Sequence, residues 1–317
     1  MEVNIMVSKR VAFQCEKCGK NSNAPIDTDR LNKKLCTECF GKRKDTRENK
    51  LNNLTGSDWA KRSKSIEEYP DTRSNKQRFH GASFPKSLAK QQIEIYTKKG
   101  DVVLDPFLGV GTTLDACLEL GRKGIGIELN SEFANLALGD IFEHPKANEM
   151  NVLIGDSRQR LQELDPETVD FVMTSPPYAD LLQNIKGDFG YKWREHSQID
   201  PIKNAKPYSE NESDIGNMTY SDAMEALRSI FVETFRVQKS NSYAAWVVKD
   251  FRNLKQGAPY VNFHGDVINV AEASGYILWD IRIYDQTKFR PLVVLGYPSR
   301  NYYLNIGHSY ILIFKKM

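Results

Sequence analysis

Residues 102–113 read Val-Val-Leu-Asp-Pro-Phe-Leu-Gly-Val-Gly-Thr-Thr. Val102-Val103-Leu104 is an apolar run of the length of a short buried strand. It breaks at Asp105-Pro106, and Gly109 and Gly111 follow before helical periodicity begins. Thr112–Leu120 is predicted to be a helix stopped by Gly121. Lys123–Glu128 reads as a second strand ending in an acid, and Ser131–Phe142 as a second helix. A third strand, Asn151–Ile154, runs into Gly155-Asp156, and Val169–Met173 is a fourth. Upstream, Lys86–Thr97 carries helical periodicity and Lys99-Gly100 closes it. Downstream, helices at Ser221–Val237 and Val261–Ser274 alternate with strands at Tyr243–Lys249 and near 276–284 and 309–315. Such alternation predicts an α/β fold with a seven-stranded sheet.

Strand, glycine turn, helix, strand, acid is the order of a Rossmann-like nucleotide site. Its glycines let backbone approach a ligand, and the acid holds ribose hydroxyls about 20 residues on. Glu128 stands 19 residues after Gly109. The turn lacks a third glycine, and Asp105 precedes the two it has, which weakens a pyrophosphate cradle. A carboxylate there suits a ligand with a cationic amino acid part. S-adenosylmethionine fits, with an ammonium for Asp105, a ribose for Glu128 and an adenine amino group for Asp156.

The fourth strand ends in Thr174-Ser175-Pro176-Pro177-Tyr178. Two prolines cannot continue a strand ladder, and Pro176 holds Ser175 extended. A rigid loop results at the carboxyl edge, where open α/β sheets place their sites. Its carbonyls and one hydroxyl can accept from an amino group, and Tyr178 can stack on a planar base.

In Phe84-Pro85, Asp105–Thr113, Glu128, Asp156 and Thr174–Tyr178, the chain resembles the amino-group DNA methyltransferases, which methylate N4 of cytosine or N6 of adenine. The resemblance covers about 80–317. It implies a Rossmann-like, S-adenosylmethionine-dependent domain. Phe84 and Pro85 would line the methionine end of the cofactor. Asp105, Pro106, Phe107, Gly109, Gly111, Thr112 and Thr113 would form the cofactor turn, with Glu128 on the ribose and Asp156 on the adenine. Ser175 and the Pro176 carbonyl, in a loop stiffened by Pro177, would hold the target amino group. Tyr178 would stack on a base flipped out of duplex DNA, because the duplex hides the amino nitrogen from an enclosed pocket. The Ser-Pro-Pro-Tyr form is typical of N4-cytosine enzymes, whereas Asp at 175 would favour adenine. N4-cytosine is therefore expected ahead of N6-adenine, in a restriction-modification or orphan setting, with a cognate restriction endonuclease as candidate partner. The commonest Ser-Pro-Pro-Tyr enzymes place the catalytic loop before the cofactor turn; here the order is permuted. A C5-cytosine mechanism would need a nucleophilic cysteine in a catalytic loop. Cys117, the one cysteine beyond residue 39, falls in the helix after the turn and reads as core.

The other four cysteines pair as Cys15-x₂-Cys18 and Cys36-x₂-Cys39, 17 residues apart. This is the spacing of a four-thiolate structural zinc site. Gly19 and Gly41 follow the pairs and are expected to close the two turns by positive φ. Two disulfides are the alternative, for a secreted protein. Charge divides the same way: residues 1–65 hold 15 basic and 8 acidic residues, net +7, and the rest carry −4. Residues 1–50 are expected to form a zinc-ribbon-like module, 51–78 a polar linker anchored by Trp59 and Tyr69, and 79–317 the methyltransferase domain. Lys42, Arg43, Lys44 and Arg47, and later Lys288, Arg290 and Arg300, are candidate phosphate contacts.

Residues 179–220 form a long polar insertion, a candidate target-recognition loop, with Phe189, Tyr191, Trp193, Arg194, His196 and Tyr208 as its aromatic and basic residues. His80, His264 and His308 read as structural. The 317 residues are 40% hydrophobic and 27% charged, which excludes collagen-like and wholly disordered classes. No run of about 18 apolar residues exists, so no membrane-spanning helix is expected. The N-terminal stretch predicts no secretory signal, and a cytoplasmic, DNA-associated location follows. An RNA amino-group methyltransferase and a catalytically silent nucleic-acid-binding module remain the alternatives.

Overall fold

A computed structural model describes residues 9–26, 28–41, 49–70, 73–81, 83–178, 211–253, 257–288 and 304–317. The chain divides into two compact units, Met1–Lys50 and Leu51–Met317.

In the first unit, β1 (Arg10–Gln14) pairs antiparallel with β2 (Asn21–Pro25). Cys15 and Cys18 lie in the turn between them. Two one-turn helices follow, α1 (Asp29–Asn32) and α2 (Thr37–Phe40), and Cys36 sits at the start of the second. Gly19 takes φ +71°, which suits glycine, and its N–H donates to the Cys15 carbonyl at 2.8 Å. Gly41 does not follow the expectation. Its φ is −69°, and it ends α2 in ordinary helical geometry. Among the described residues of this unit only Cys15, Ala24 and Cys36 are buried. So small a core cannot balance the entropy of ordering the chain.

The second unit is built on one sheet. Its strands are β3 (Ile66–Glu68), β4 (Val102–Asp105), β5 (Lys123–Glu128), β6 (Met150–Ile154), β7 (Val169–Thr174), β8 (Gln238–Val248), β11 (Ile277–Asp285) and β12 (His308–Lys315). Their order across the sheet is β3-β11-β12-β8-β7-β4-β5-β6. Only β12 runs antiparallel to its neighbours. A small separate hairpin joins β9 (Phe251–Asn253) to β10 (Ala258–Val261).

The sheet thus has eight strands where the sequence predicted seven. The extra strand is β3, in the stretch expected to be a linker. It is three residues long, two of them Glu, so neither periodicity nor hydrophobicity marks it. Arg282 fixes it in place from β11. Its guanidinium, 5% exposed, donates to the Lys64 and Arg62 carbonyls and to Glu67 and Gln92, each at 2.9 Å. Tyr69 is buried and meets Tyr284 edge-on at 5.4 Å, as an anchor should, whereas Trp59 stays 41% exposed on α3 (Gly56–Arg62).

Alternation along the strands buries both faces of the sheet. Val172, Ala244, Trp246, Leu312 and Phe314 pack under α9 (Tyr220–Val237) and α10 (Phe263–Ala273). Phe171, Met173, Ala245, Val247, Ile311 and Ile313 pack under α5 (Lys86–Tyr96) and α6 (Thr112–Leu120). Cys117 is fully buried in this second layer, as its reading as core requires. The crevice between β4 and β7 is where strand order reverses, the switch point at which doubly wound sheets bind ligands. Among the described residues, no helix is long and apolar enough to cross a membrane.

Candidate functional site

The carboxyl ends of β4, β5, β6 and β7 converge on one open cleft. Pro106, Phe107, Gly109, Glu128, Asp156 and the whole of Ser175–Tyr178 line it. Phe84, Pro85, Asp105, Gly111, Thr112 and Thr113 do not form its wall. They stand behind it.

The glycine turn is held from several sides. Gly111 takes φ +87°, and a Cβ there would lie 2.7 Å from the Ala137 Cβ of α7 (Ser131–Phe142). Only glycine lets α7 approach the turn this closely. Gln77, buried in α4 (Asn75–His80), donates to the Thr112 hydroxyl at 3.1 Å and to the Phe84 carbonyl at 3.2 Å. Phe84 itself packs on the α5 layer. The Phe84-Pro85 segment therefore braces the start of α6.

Glu128 ends β5 and lines the cleft. Its two oxygens accept from the Gly109 N–H at 2.7 Å and the Asn130 N–H at 2.8 Å. Burial pushes its carboxyl up to about 7, against the pull of those two N–H groups, and the charges of Asp105 and Asp214 add to the rise. Asp156 also lines the cleft, but it has local work. It caps α8 (Ser157–Arg160) by accepting from the Arg158 N–H at 2.9 Å, and it pairs with the Arg158 guanidinium at 2.5 Å.

Asp105 is 1% exposed. It accepts from Thr113 Oγ1 at 2.5 Å, Thr174 Oγ1 at 2.6 Å and the Phe107 N–H at 3.0 Å. Burial raises its carboxyl to about 6. In the loop after β7, Pro176 is buried and Ser175, Pro177 and Tyr178 are half-buried. The Tyr178 ring tilts against Phe263 at 5.4 Å and meets Phe251 edge-on at 6.2 Å.

Two cleft residues escaped the reading of the sequence as ligand contacts. Asp214, 4% exposed, lies in the segment of the polar insertion that resumes at 211 and accepts from the Gly216 N–H at 2.9 Å. No periodicity or motif marks it. Arg158 donates to the Ser213 carbonyl at 3.3 Å and so ties that segment to Asp156. Glu128, Asp156 and Asp214 bring three carboxyl groups to the cleft, of which Asp156 is already paired with Arg158. His80, read as structural, also lines the cleft above Gly109, and burial lowers its imidazole to about 4. It is neutral near pH 7. His264, by contrast, pairs with buried Asp250 at 2.8 Å and stacks on Tyr310, while His308 meets that ring edge-on.

The four cysteine sulfurs lie within 4.8 Å of one another, and none forms a disulfide. Cys18 and Cys36 Sγ are 3.6 Å apart. A tetrahedral site with zinc–sulfur bonds of about 2.3 Å places its sulfurs about 3.8 Å apart. The donor set fits that ion. Lys288, a candidate phosphate contact, is exposed and pairs with Glu68 at 2.7 Å. Lys42, Arg43, Lys44, Arg47, Arg290 and Arg300 lie outside the described residues, as do Phe189, Tyr191, Trp193, Arg194, His196 and Tyr208.

Known proteins match this chain in parts. The family model for DNA methylases (N6_N4_Mtase) matches residues 10–139, which include the glycine turn and Glu128. The DNA adenine methyltransferase YhdJ of Escherichia coli is 38% identical over 98 residues, 28% of this chain and 33% of that protein. The Type II methyltransferase M.BglI of Bacillus subtilis is 34% identical over 125 residues, 37% of this chain and 35% of that protein. M.SmaI of Serratia marcescens, also a Type II methyltransferase, is 48% identical over 58 residues, 18% of this chain and 20% of that protein. The chain spans about a third or less of the length of these relatives. The matched turn and the Ser-Pro-Pro-Tyr loop stand in one cleft at the switch point of the sheet, and over residues 10–139 the chain is similar to the DNA methylase family.

Proposed function

We propose that this protein transfers a methyl group from S-adenosylmethionine to an exocyclic amino group of a base flipped out of duplex DNA, N4 of cytosine ahead of N6 of adenine. The observation that carries the reading is the meeting of Glu128 and the Ser175–Tyr178 loop on one cleft. When bound, S-adenosylmethionine supplies a methyl group already activated on sulfonium sulfur. Glu128 accepts from the ribose hydroxyls, and Asp156 faces the adenine end. Ser175 Oγ and the Pro176 carbonyl accept from the two amino protons of the base. That draws the nitrogen toward a pyramidal form and exposes its lone pair for in-line attack. Rate enhancement comes from alignment and fixed dipoles, with no covalent enzyme intermediate.

The preference for cytosine rests on Ser175. Among the relatives, one is named an adenine enzyme and the Type II names specify no base. Mass spectrometry of nucleosides from unmodified DNA treated with protein and cofactor decides between them. N4-methylcytosine is expected. N6-methyladenine would overturn the base assignment and leave the reaction class standing, and no modified base would overturn the reading. A restriction-modification or orphan setting, the former with a cognate endonuclease, is part of this reading.

The four thiolates are proposed to hold one structural zinc ion, closed to catalysis because no position is left open. Metal binding would then drive folding of the first unit. Purified protein is expected to hold about one zinc per chain. Chelation should raise hydrogen exchange across 9–41 while leaving 83–178 protected. A metal-free first unit that stays protected would contradict the assignment.

A further inference from the structure

The loop that grips the target amino group has few ways to be held. Pro176 and Pro177 carry no N–H, so it cannot be stitched to a neighbouring strand. The pairing of β7 with β8 ends at Thr174 against Trp246. Thr174 is fully buried, and its hydroxyl donates to Asp105 Oδ1 at 2.6 Å. It is the last fixed point of the chain before Ser175.

Asp105 does not face the cleft. Its donors come from three places: Phe107 N in the cofactor turn, Thr113 Oγ1 in the first turn of α6, and Thr174 Oγ1 at the end of β7. The first two belong to the cofactor half, and the third lies 69 residues away at the root of the catalytic loop. We propose that Thr174 is a positioning residue for the Ser175–Tyr178 loop and that Asp105 is the bracket fixing it to the cofactor turn. The inference deepens the methyl-transfer reading and rests on it. The bracket sets the loop against the turn, and so the amino nitrogen against the methyl donor. A displacement near 1 Å in such an alignment costs about 10²-fold in rate. Asp105 then acts on the rate of transfer through geometry, without being the cofactor's ionic partner.

Thr174→Val keeps the shape and removes the donor. At saturating cofactor, the transfer rate should fall at least about tenfold, while the cofactor dissociation constant by calorimetry stays within about threefold. Thr174→Ser, which restores the hydroxyl, should recover the rate. An unchanged rate in Thr174→Val would overturn the proposal. So would cofactor affinity falling in step with rate, which would mark Asp105 as a cofactor ligand. A thermal-unfolding cycle of Thr113→Val, Thr174→Val and the double variant reads the bracket without activity. Shared use of one buried carboxylate predicts midpoint shifts that do not add, and additive shifts would remove the bracket. Wild-type protein that modifies no base would overturn the methyl-transfer reading, and the cycle would still decide the bracket.

Discussion

Replacing Glu128 by alanine should weaken S-adenosylmethionine binding by about two to three orders of magnitude. The carboxylate is half-buried on the cleft and accepts from the Gly109 and Asn130 N–H groups. Losing two charge-assisted hydrogen bonds to the ribose diol costs about 1.5–3 kcal/mol each, and about 1.4 kcal/mol is a factor of ten in affinity. Titration gives a second signature. With the carboxyl held up to about 7, the protonated form predominates below that pH and has fewer lone pairs to offer a diol. Cofactor affinity should therefore rise from about pH 6 and level off by about pH 8. The sign for the free protein is opposite. A raised carboxyl makes the fold bind more protons than the unfolded chain, so this group's contribution to stability falls as pH climbs toward about 7. Calorimetry at several pH values checks both. An affinity independent of pH, or an alanine variant that binds normally, would remove Glu128 from the cofactor site.

Ser175→Ala should leave cofactor affinity alone and lower the transfer rate by about 10²- to 10³-fold. That is the usual scale when one preorganised polar contact to a reacting group is lost. Ser175 makes none of the contacts that hold the glycine turn or Glu128, so binding and chemistry should separate. Label transfer at saturating cofactor measures the first effect, and calorimetry confirms the second. If cofactor affinity fell as far as the rate, Ser175 would be part of the cofactor pocket and the base-holding role would fail.

Both predictions fall on residues legible in the sequence. Glu128 and Ser175 sit at strand ends, and a strand end is a local feature that hydrophobic runs and turn residues declare. Asp156 was equally legible as a position but carries more than one burden, since it also caps α8 and pairs with Arg158. Asp214 was not legible. It follows a long polar stretch, and its place on the cleft depends on a contact between Ser213 and Arg158, 55 residues apart in the chain. Asp105 was legible as important, but its partners were not. From sequence a carboxylate beside glycines invites a ligand's ammonium, whereas in the fold its two oxygens serve three donors of the protein itself.

The sequence alone determined the alternating α/β order, the positions of the glycine turn, the strand-end acids and the proline loop, and the pairing of the four cysteines. These follow from spacing, periodicity and the restricted backbones of glycine and proline, all of which act over a few residues. Only the tertiary structure decided which groups share a cleft, that β3 joins the sheet as an eighth strand, and that Asp105 ties Thr174 to the cofactor turn. Those outcomes rest on buried side chains meeting across long stretches of chain: 69 residues for Asp105 and Thr174, and 218 for Lys64 and Arg282. A buried charge or hydroxyl must find whatever partner the packing brings to it, and packing is a property of the whole sheet.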